Sequence, residues 1–170
     1  MKRNIIIKVI TRMVRKDKIK YISGEIINVG TEKCAMTSKR GSVYGFAIKI
    51  ENNDLKEKIF NSICDERKKI DNLCKWKSIA KTKYFPLYWG KDINMGARIL
   101  AHTRSMKSTG TLQLNKLDVL KNCEIIYGAV PCLEYEKYEK QLKNDFPDLL
   151  KIINGEKDTL EIKDFVGNDE

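Results

Sequence analysis

A chain of 170 residues with a formal net charge of +10 is long enough for one domain with a real core, and two independent full-size domains are not expected. Thirty-three Lys and Arg against twenty-three Asp and Glu favour a polyanionic partner, with nucleic acid first and an anionic membrane second. No run of about 18 apolar residues is present to span a bilayer, and the basic, apolar start at Met1 to Val14 is interrupted by Lys8 and Arg12 with no small-residue cleavage site, so it does not read as a signal peptide.

Residues 1–40 read as a basic N-terminal extension. The first twenty residues hold eight basic groups against Asp17 alone. Within the extension, "NIIIKVITRMV" and "IKYISGEIINV" flank the polar "RKDK", the pattern of a β-hairpin, with a short helix as the alternative for the first segment. In "SKRGSVYGFAIKI", Tyr44, Phe46, Ile48 and Ile50 alternate with Val43, Gly45, Ala47 and Lys49, the period of a strand starting beside Gly41. Residues 54–76 then carry Leu55, Ile59, Ile63, Arg67, Ile70 and Leu73 at three- and four-residue steps, which predicts a helix capped by Asn53 or Asp54. "KYFPLYWG" returns to strand character, Pro86 marking an edge or a bulge. Asp92 to Arg104 reads as a helix capped by Asp92 or Asn94, and on it Arg98 and His102 stand one turn apart on one face. After the polar loop "SMKSTGTLQLN", "CEIIYGAVPC" reads as a strand and "LEYEKYEKQLKNDF" as a helix ended by Pro147. Residues 155–170 form an acidic tail, with six acidic groups against Lys157 and Lys163. The fold class expected is α/β (α+β), a small central mixed sheet flanked by helices. Five cysteines without a Cys-x-x-Cys pair, beside a single histidine, do not make ordinary zinc spacings and read as reduced thiols of a cytoplasmic protein.

The order "GSVYGFAI", "LYWGK", Arg98 eight residues after Gly90, and His102 four further on resembles the GIY-YIG nuclease domain. That family is similar in having a strand with Gly-Ile/Val-Tyr, a strand with Tyr-Ile/Val-Gly, a helix with Arg-x-x-x-His and a later helix with one glutamate. By motif position the resemblance assigns Gly41, Val43 and Tyr44 to the first element, and Tyr88, Trp89 and Gly90 to the second. Arg98 and His102 form the helix pair, and Glu139 opens "EKQL", matching a Glu-x-x-Leu in the last helix. Asn154 matches a late asparagine. The likeness covers residues 41–154, with residues 54–76 as a helical insertion. Three features depart from the pattern: Ser42 is inserted before Val43, Trp89 replaces a small aliphatic residue, and the long helix separates the two tyrosine motifs.

The resemblance implies a divalent-metal-dependent endonuclease acting on DNA, of restriction or mobile-element type, with Tyr44, Tyr88, Arg98, His102 and Glu139 as catalytic residues. Phosphodiester hydrolysis needs an activated water, charge on the phosphate and help for the leaving oxygen. Arg98 can bond two phosphate oxygens and keeps its charge. Glu139 is the expected ligand of Mg2+ (or Mn2+), an ion that needs only one or two protein carboxylates, and Glu136 is its reserve. Tyr44 or Tyr88 would position or deprotonate the water, and His102, near its ordinary pKa, would relay the proton or orient the tyrosine. Lys91, Arg104, Lys107, Ser108, Thr109 and Asn154 are the residues expected at the nucleic acid, offering cations and polar groups to phosphates. A homodimer is the expected way to cut both strands. The alternatives are a non-catalytic nucleic-acid-binding protein on the same fold and an RNA-processing nuclease. Taken singly, each residue also has an ordinary role as sheet aromatic or helix surface charge; order and spacing together carry the nuclease reading.

Overall fold

The computed structural model describes residues 2–16, 20–26, 41–63, 72–103, 114 and 117–154. Four strands, β1 (Ile22–Ile26), β2 (Ser42–Lys49), β3 (Tyr84–Asp92) and β4 (Ile125–Pro131), form one sheet in the order β1-β4-β2-β3. Every neighbouring pair is antiparallel, so the sheet is not the mixed one expected from sequence. The reason is topological: β3 and β4 run parallel, as do β1 and β2, but the chain crosses over one strand between the members of each pair, so an antiparallel strand always lies between them. β2 and β4 are central, and β4 is covered on both faces, with Ile125, Tyr127 and Ala129 on one and Ile126 and Val130 on the other.

The first face carries Tyr44, Phe46 and Ile48 of β2 and Tyr88 of β3. It is covered by α2 (Asn53–Ile63) through Ile59 and Phe60, by Trp76, by α3 (Ala97–Thr103) through Ile99, and by α5 (Leu149–Asn154). The second face carries Val43, Ala47 and Trp89 and is covered by α1 (Ile5–Val14) and by Leu142 of α4 (Tyr135–Asp145). The result is a helix–sheet–helix sandwich of α+β class, and among the described residues no helix is long and apolar enough to cross a membrane.

The expected N-terminal hairpin is a helix followed by a strand. Read with period two, "IIIKVITRMV" puts Lys8 and Arg12 on the same side as Ile6, Ile10 and Val14. As a helix it separates them: Ile6, Ile7, Ile10 and Val14 are buried and Lys8 and Arg12 are exposed. Each fully buried Ile is worth about 1.5–3 kcal/mol, more than the few tenths that β-branching costs a helix. Asn4 caps the helix, its Oδ1 accepting from the Ile7 N–H at 3.1 Å, while its Nδ2 donates to the Tyr127 carbonyl of β4 at 2.9 Å. Only the second segment pairs as a strand, β1 against β4.

Other boundaries shift for local reasons. The cap of α2 is Asn52, whose Oδ1 accepts from the Leu55 N–H at 2.8 Å. Of the expected helix at residues 54–76, α2 occupies the part up to Ile63, residues 64–71 lie outside the described residues, and Leu73–Lys75 is a 3-10 turn. Pro86 lies on the edge strand at a register shift opposite Phe46 and Ala47, where a missing N–H costs no ladder bond, and the Pro86 carbonyl accepts from Trp76 Nε1 at 2.8 Å. The acidic tail at residues 155–170 lies outside the described residues.

Candidate active site

Strand register brings the two tyrosine motifs together. Tyr44 pairs with Gly90 and Phe46 with Tyr88, so the Tyr44 and Tyr88 rings share a face with centroids 6.0 Å apart. Gly90 is glycine because the tyrosines occupy its side-chain space: a Cβ there would collide with Tyr44 Cζ and Oη and with Tyr88 Cε1. Trp89 points the other way. It is fully buried on the second face, its ring lies over Gly45, and its Nε1 donates to the Phe146 carbonyl at 2.8 Å. The replacement of a small aliphatic residue by Trp89 therefore leaves the site's width untouched.

Arg98 and His102 arrive on α3, which starts later than expected because Asp92 belongs to β3 and acts as a clamp. Its Oδ1 accepts from the Asn94 N–H at 2.9 Å and its Oδ2 from the Arg98 N–H at 2.8 Å. Gly96, at φ 95°, makes the turn that a side chain would strain. One turn beyond Arg98, His102 is fully buried with Nε2 2.7 Å from Tyr44 Oη. Its ring packs edge-on against Tyr88 at 5.3 Å and Phe46 at 5.9 Å.

The electrostatics of this pair differ from the sequence expectation. Burial, with the Arg98 charge second, pushes the His102 pKa down to about 3 from 6.5, so the imidazole is neutral at physiological pH rather than poised to titrate. Burial likewise pushes the Tyr44 phenol well above its ordinary value; Tyr88, Asp92 and Glu139 add to this and Arg98 opposes it. Tyr44 and His102 thus share a hydrogen bond between neutral partners, in which the phenol donates to Nε2 or Nε2–H donates to the phenol, according to tautomer.

The last component comes from α4. Glu139 is only 7% exposed, and its Oε1 accepts from Lys143 Nζ at 3.1 Å. The same ammonium stands 5.3 Å from the centre of the Tyr88 ring. Burial raises the Tyr88 phenol pKa; Lys143 is the largest charge opposing that, Glu139 and Asp148 reinforce it, and Arg98 opposes it more weakly. Glu136 lies instead on the exposed side of α4, paired to Lys91 at 3.0 Å. Of the two carboxylates, Glu139 belongs to the enclosed cluster, and Lys91, expected at the nucleic acid, is engaged with the other.

Asp148 is a member of the cluster that the sequence reading missed. It is 1% exposed, its Oδ2 accepts from the Trp89 N–H at 2.8 Å and its Oδ1 from the Lys151 N–H at 2.7 Å, joining β3 to the start of α5. Burial raises its pKa to about 6, partly offset by Lys143 and the two N–H groups. Its signal is the Asp before "LLKII", an N-cap ahead of an apolar run.

The carboxylates differ in their capacity for a cation. Both oxygens of Asp92 and both of Asp148 are taken by backbone N–H groups. Glu139 uses Oε1 for Lys143, and among the described residues Oε2 has no hydrogen-bond partner. No three His, Cys, Asp or Glu side chains among the described residues group together as a chelating site. One enclosed carboxylate with a spare oxygen fits a hard, hydrated divalent ion, which keeps most of its water. Ser42 Oγ, on the Tyr44 face, is buried and has no partner among the described residues.

Arg104, Lys107, Ser108 and Thr109 lie outside the described residues, and Asn154 ends α5. Comparison with protein-family models, with curated proteins and with solved structures returns no match.

Proposed function

We propose that this chain is a divalent-metal-dependent endonuclease that hydrolyses DNA phosphodiester bonds through a GIY-YIG-type site, of restriction or mobile-element kind. The observation that carries the reading is the gathering of residues from four separate elements: Tyr44, Tyr88, Arg98 and His102 on one face of the sheet, and Glu139 of α4, whose charge, like that of Arg98, acts on both tyrosines. Arg98, half-buried at the start of α3, binds two oxygens of the scissile phosphate. Glu139 would hold Mg2+ or Mn2+, and the chemistry such an ion would supply there is positive charge for the phosphate and for the leaving 3′ oxygen. Tyr88 is the phenol that meets the attacking water: it retains 8% exposure where Tyr44 retains 1%, and among the described residues its hydroxyl is not engaged as that of Tyr44 is. Tyr88 Oη accepts a hydrogen bond from the attacking water and orients it, and takes its proton only as the phenolate, a form that Lys143 and Arg98 favour and that burial, Glu139 and Asp148 oppose. Tyr44 and His102 form the buried floor that holds the Tyr88 ring. Cutting both strands calls for two copies of the chain.

A second reading, nucleic-acid binding without cleavage, draws on the Glu139–Lys143 pair, which already gives the carboxylate a counter-charge without a metal. Duplex DNA and RNA incubated with Mg2+, Mn2+ or EDTA separate the two. Metal-dependent cleavage of DNA that Arg98→Ala abolishes supports the nuclease. Binding with intact substrate in every metal supports the second reading.

A further inference from the structure

The outward face of α1 has no role in the site described. Lys8, Arg12, Arg15 and Lys16 are all exposed, no acidic residue lies between Lys2 and Lys16, and none of these four is in an ion pair among the described residues. Lys8, Arg12 and Arg15 follow one line along the helix and its C-cap, spanning about 10 Å at a rise of about 1.5 Å per residue. That is the length of about three nucleotides of one strand at about 3.4 Å each.

Two observations choose the partner. The apolar face of α1 is consumed by the sheet: Ile6, Ile7, Ile10 and Val14 are buried, and Ile6 and Ile7 pack against Gly128 so closely that a Cβ there would collide with Ile7. A helix that lies in a bilayer needs its apolar face for the lipid, so what α1 offers outward is charge alone, the feature a phosphate backbone uses. The second observation is position. The charge of Lys16 acts on the Cys132 thiol, and the Cys132 N–H donates to the Gly41 carbonyl at 2.9 Å. Ser42 pairs with both Asp92 and Pro131, so this is the end of the sheet at which Asp92 starts the Arg98 helix.

We infer that the Lys8–Arg12–Arg15 face of α1, on the opposite side of the sheet from Tyr44 but ending at the sheet end where the Arg98 helix starts, is a second contact surface for duplex DNA, taking backbone phosphates other than those at Arg98. The inference rests on the nucleic-acid reading but not on catalysis. Its test is the salt dependence of binding to a short duplex in EDTA, for the wild type, for Lys8→Gln/Arg12→Gln/Arg15→Gln, and for a control that loses the same charge at the far end of β3, Lys75→Gln/Lys77→Gln/Lys81→Gln. The α1 variant is expected to bind at least about tenfold more weakly and to lose about 0.9 from the log–log salt slope per phosphate contact removed, with the control near wild type. Equal weakening in both variants assigns the effect to net charge and overturns the inference. So does unchanged duplex binding accompanied by loss of binding to phosphatidylserine vesicles. Circular-dichroism melting checks that the variants are folded, and Arg12→Gln alone gives the same slope test if the triple variant is not. Plasmid cleavage with Mg2+ is read in parallel: a wild type that binds through α1 without cutting removes the nuclease and leaves the surface, while one that cuts with α1 silent does the reverse.

Discussion

Replacing His102 with Gln removes a titrating group while keeping an acceptor for Tyr44, and its consequence is a changed acid limb of stability. The folded pKa of about 3 lies below the ordinary 6.5, so between those values the unfolded chain binds a proton that the folded protein excludes. The contribution of His102 is complete above 6.5 and is lost as pH falls through the window, at about 1.4 kcal/mol per pH unit, about 5 kcal/mol in all. Asp148 has the opposite sign. Its folded pKa of about 6 stands above the ordinary 3.8, so its contribution is complete below 3.8 and is lost as pH rises, about 3 kcal/mol in all. Between pH ~4 and ~6 the two slopes oppose, and urea unfolding of the wild type should be flat there within about 1 kcal/mol relative to the two variants. His102→Gln should gain about 3 kcal/mol of stability from pH ~6 to ~4, and Asp148→Asn should lose about as much over the same interval. If His102→Gln keeps the wild-type pH profile, the imidazole is not a buried neutral group and the account of the Tyr44 bond is wrong.

Four further outcomes follow from the same contacts. Tyr44→Phe and His102→Leu each leave one partner of a buried hydrogen bond unsatisfied at about 1–3 kcal/mol, and a double-mutant cycle by urea unfolding should show them non-additive by about 1–2 kcal/mol. Gly90→Ala drives a methyl into the Tyr44 and Tyr88 rings and should cost about 1–3 kcal/mol, read as a lower Tm. Ser42→Ala removes a buried hydroxyl without a partner among the described residues and should raise stability by about 1 kcal/mol. Lys143→Met removes the cation from Glu139 and from the Tyr88 ring; Mn2+ should bind more tightly by electron paramagnetic resonance titration while DNA cleavage falls.

Much of this arrangement was legible in the sequence because it obeys local periods. Alternation in "SVYGFAIK" placed Tyr44 on one face and Val43 on the other, and the i,i+4 spacing of Arg98 and His102 placed both on one turn of helix. The choice of Glu139 over Glu136 followed from Tyr135 and Leu142, which set the buried side of α4. What was not legible depended on neighbours distant in the chain. The helical state of "IIIKVITRMV" is decided by Gly128 and the β4 surface beneath it, since its β-branched residues suit either state. The low pKa of His102 comes from layers over it that no spacing announces, and Asp148 joins the site by accepting from Trp89, 59 residues away.

The most direct test of the hydrolytic site is nicking and linearisation of supercoiled plasmid by wild type, Glu139→Ala, Tyr88→Phe and Glu136→Ala, each with Mg2+ and with EDTA. The account predicts cleavage that requires the metal, is lost in Glu139→Ala and Tyr88→Phe, and survives in Glu136→Ala. Intact plasmid with folded wild type in every metal, or cleavage that Glu139→Ala leaves unchanged, contradicts it.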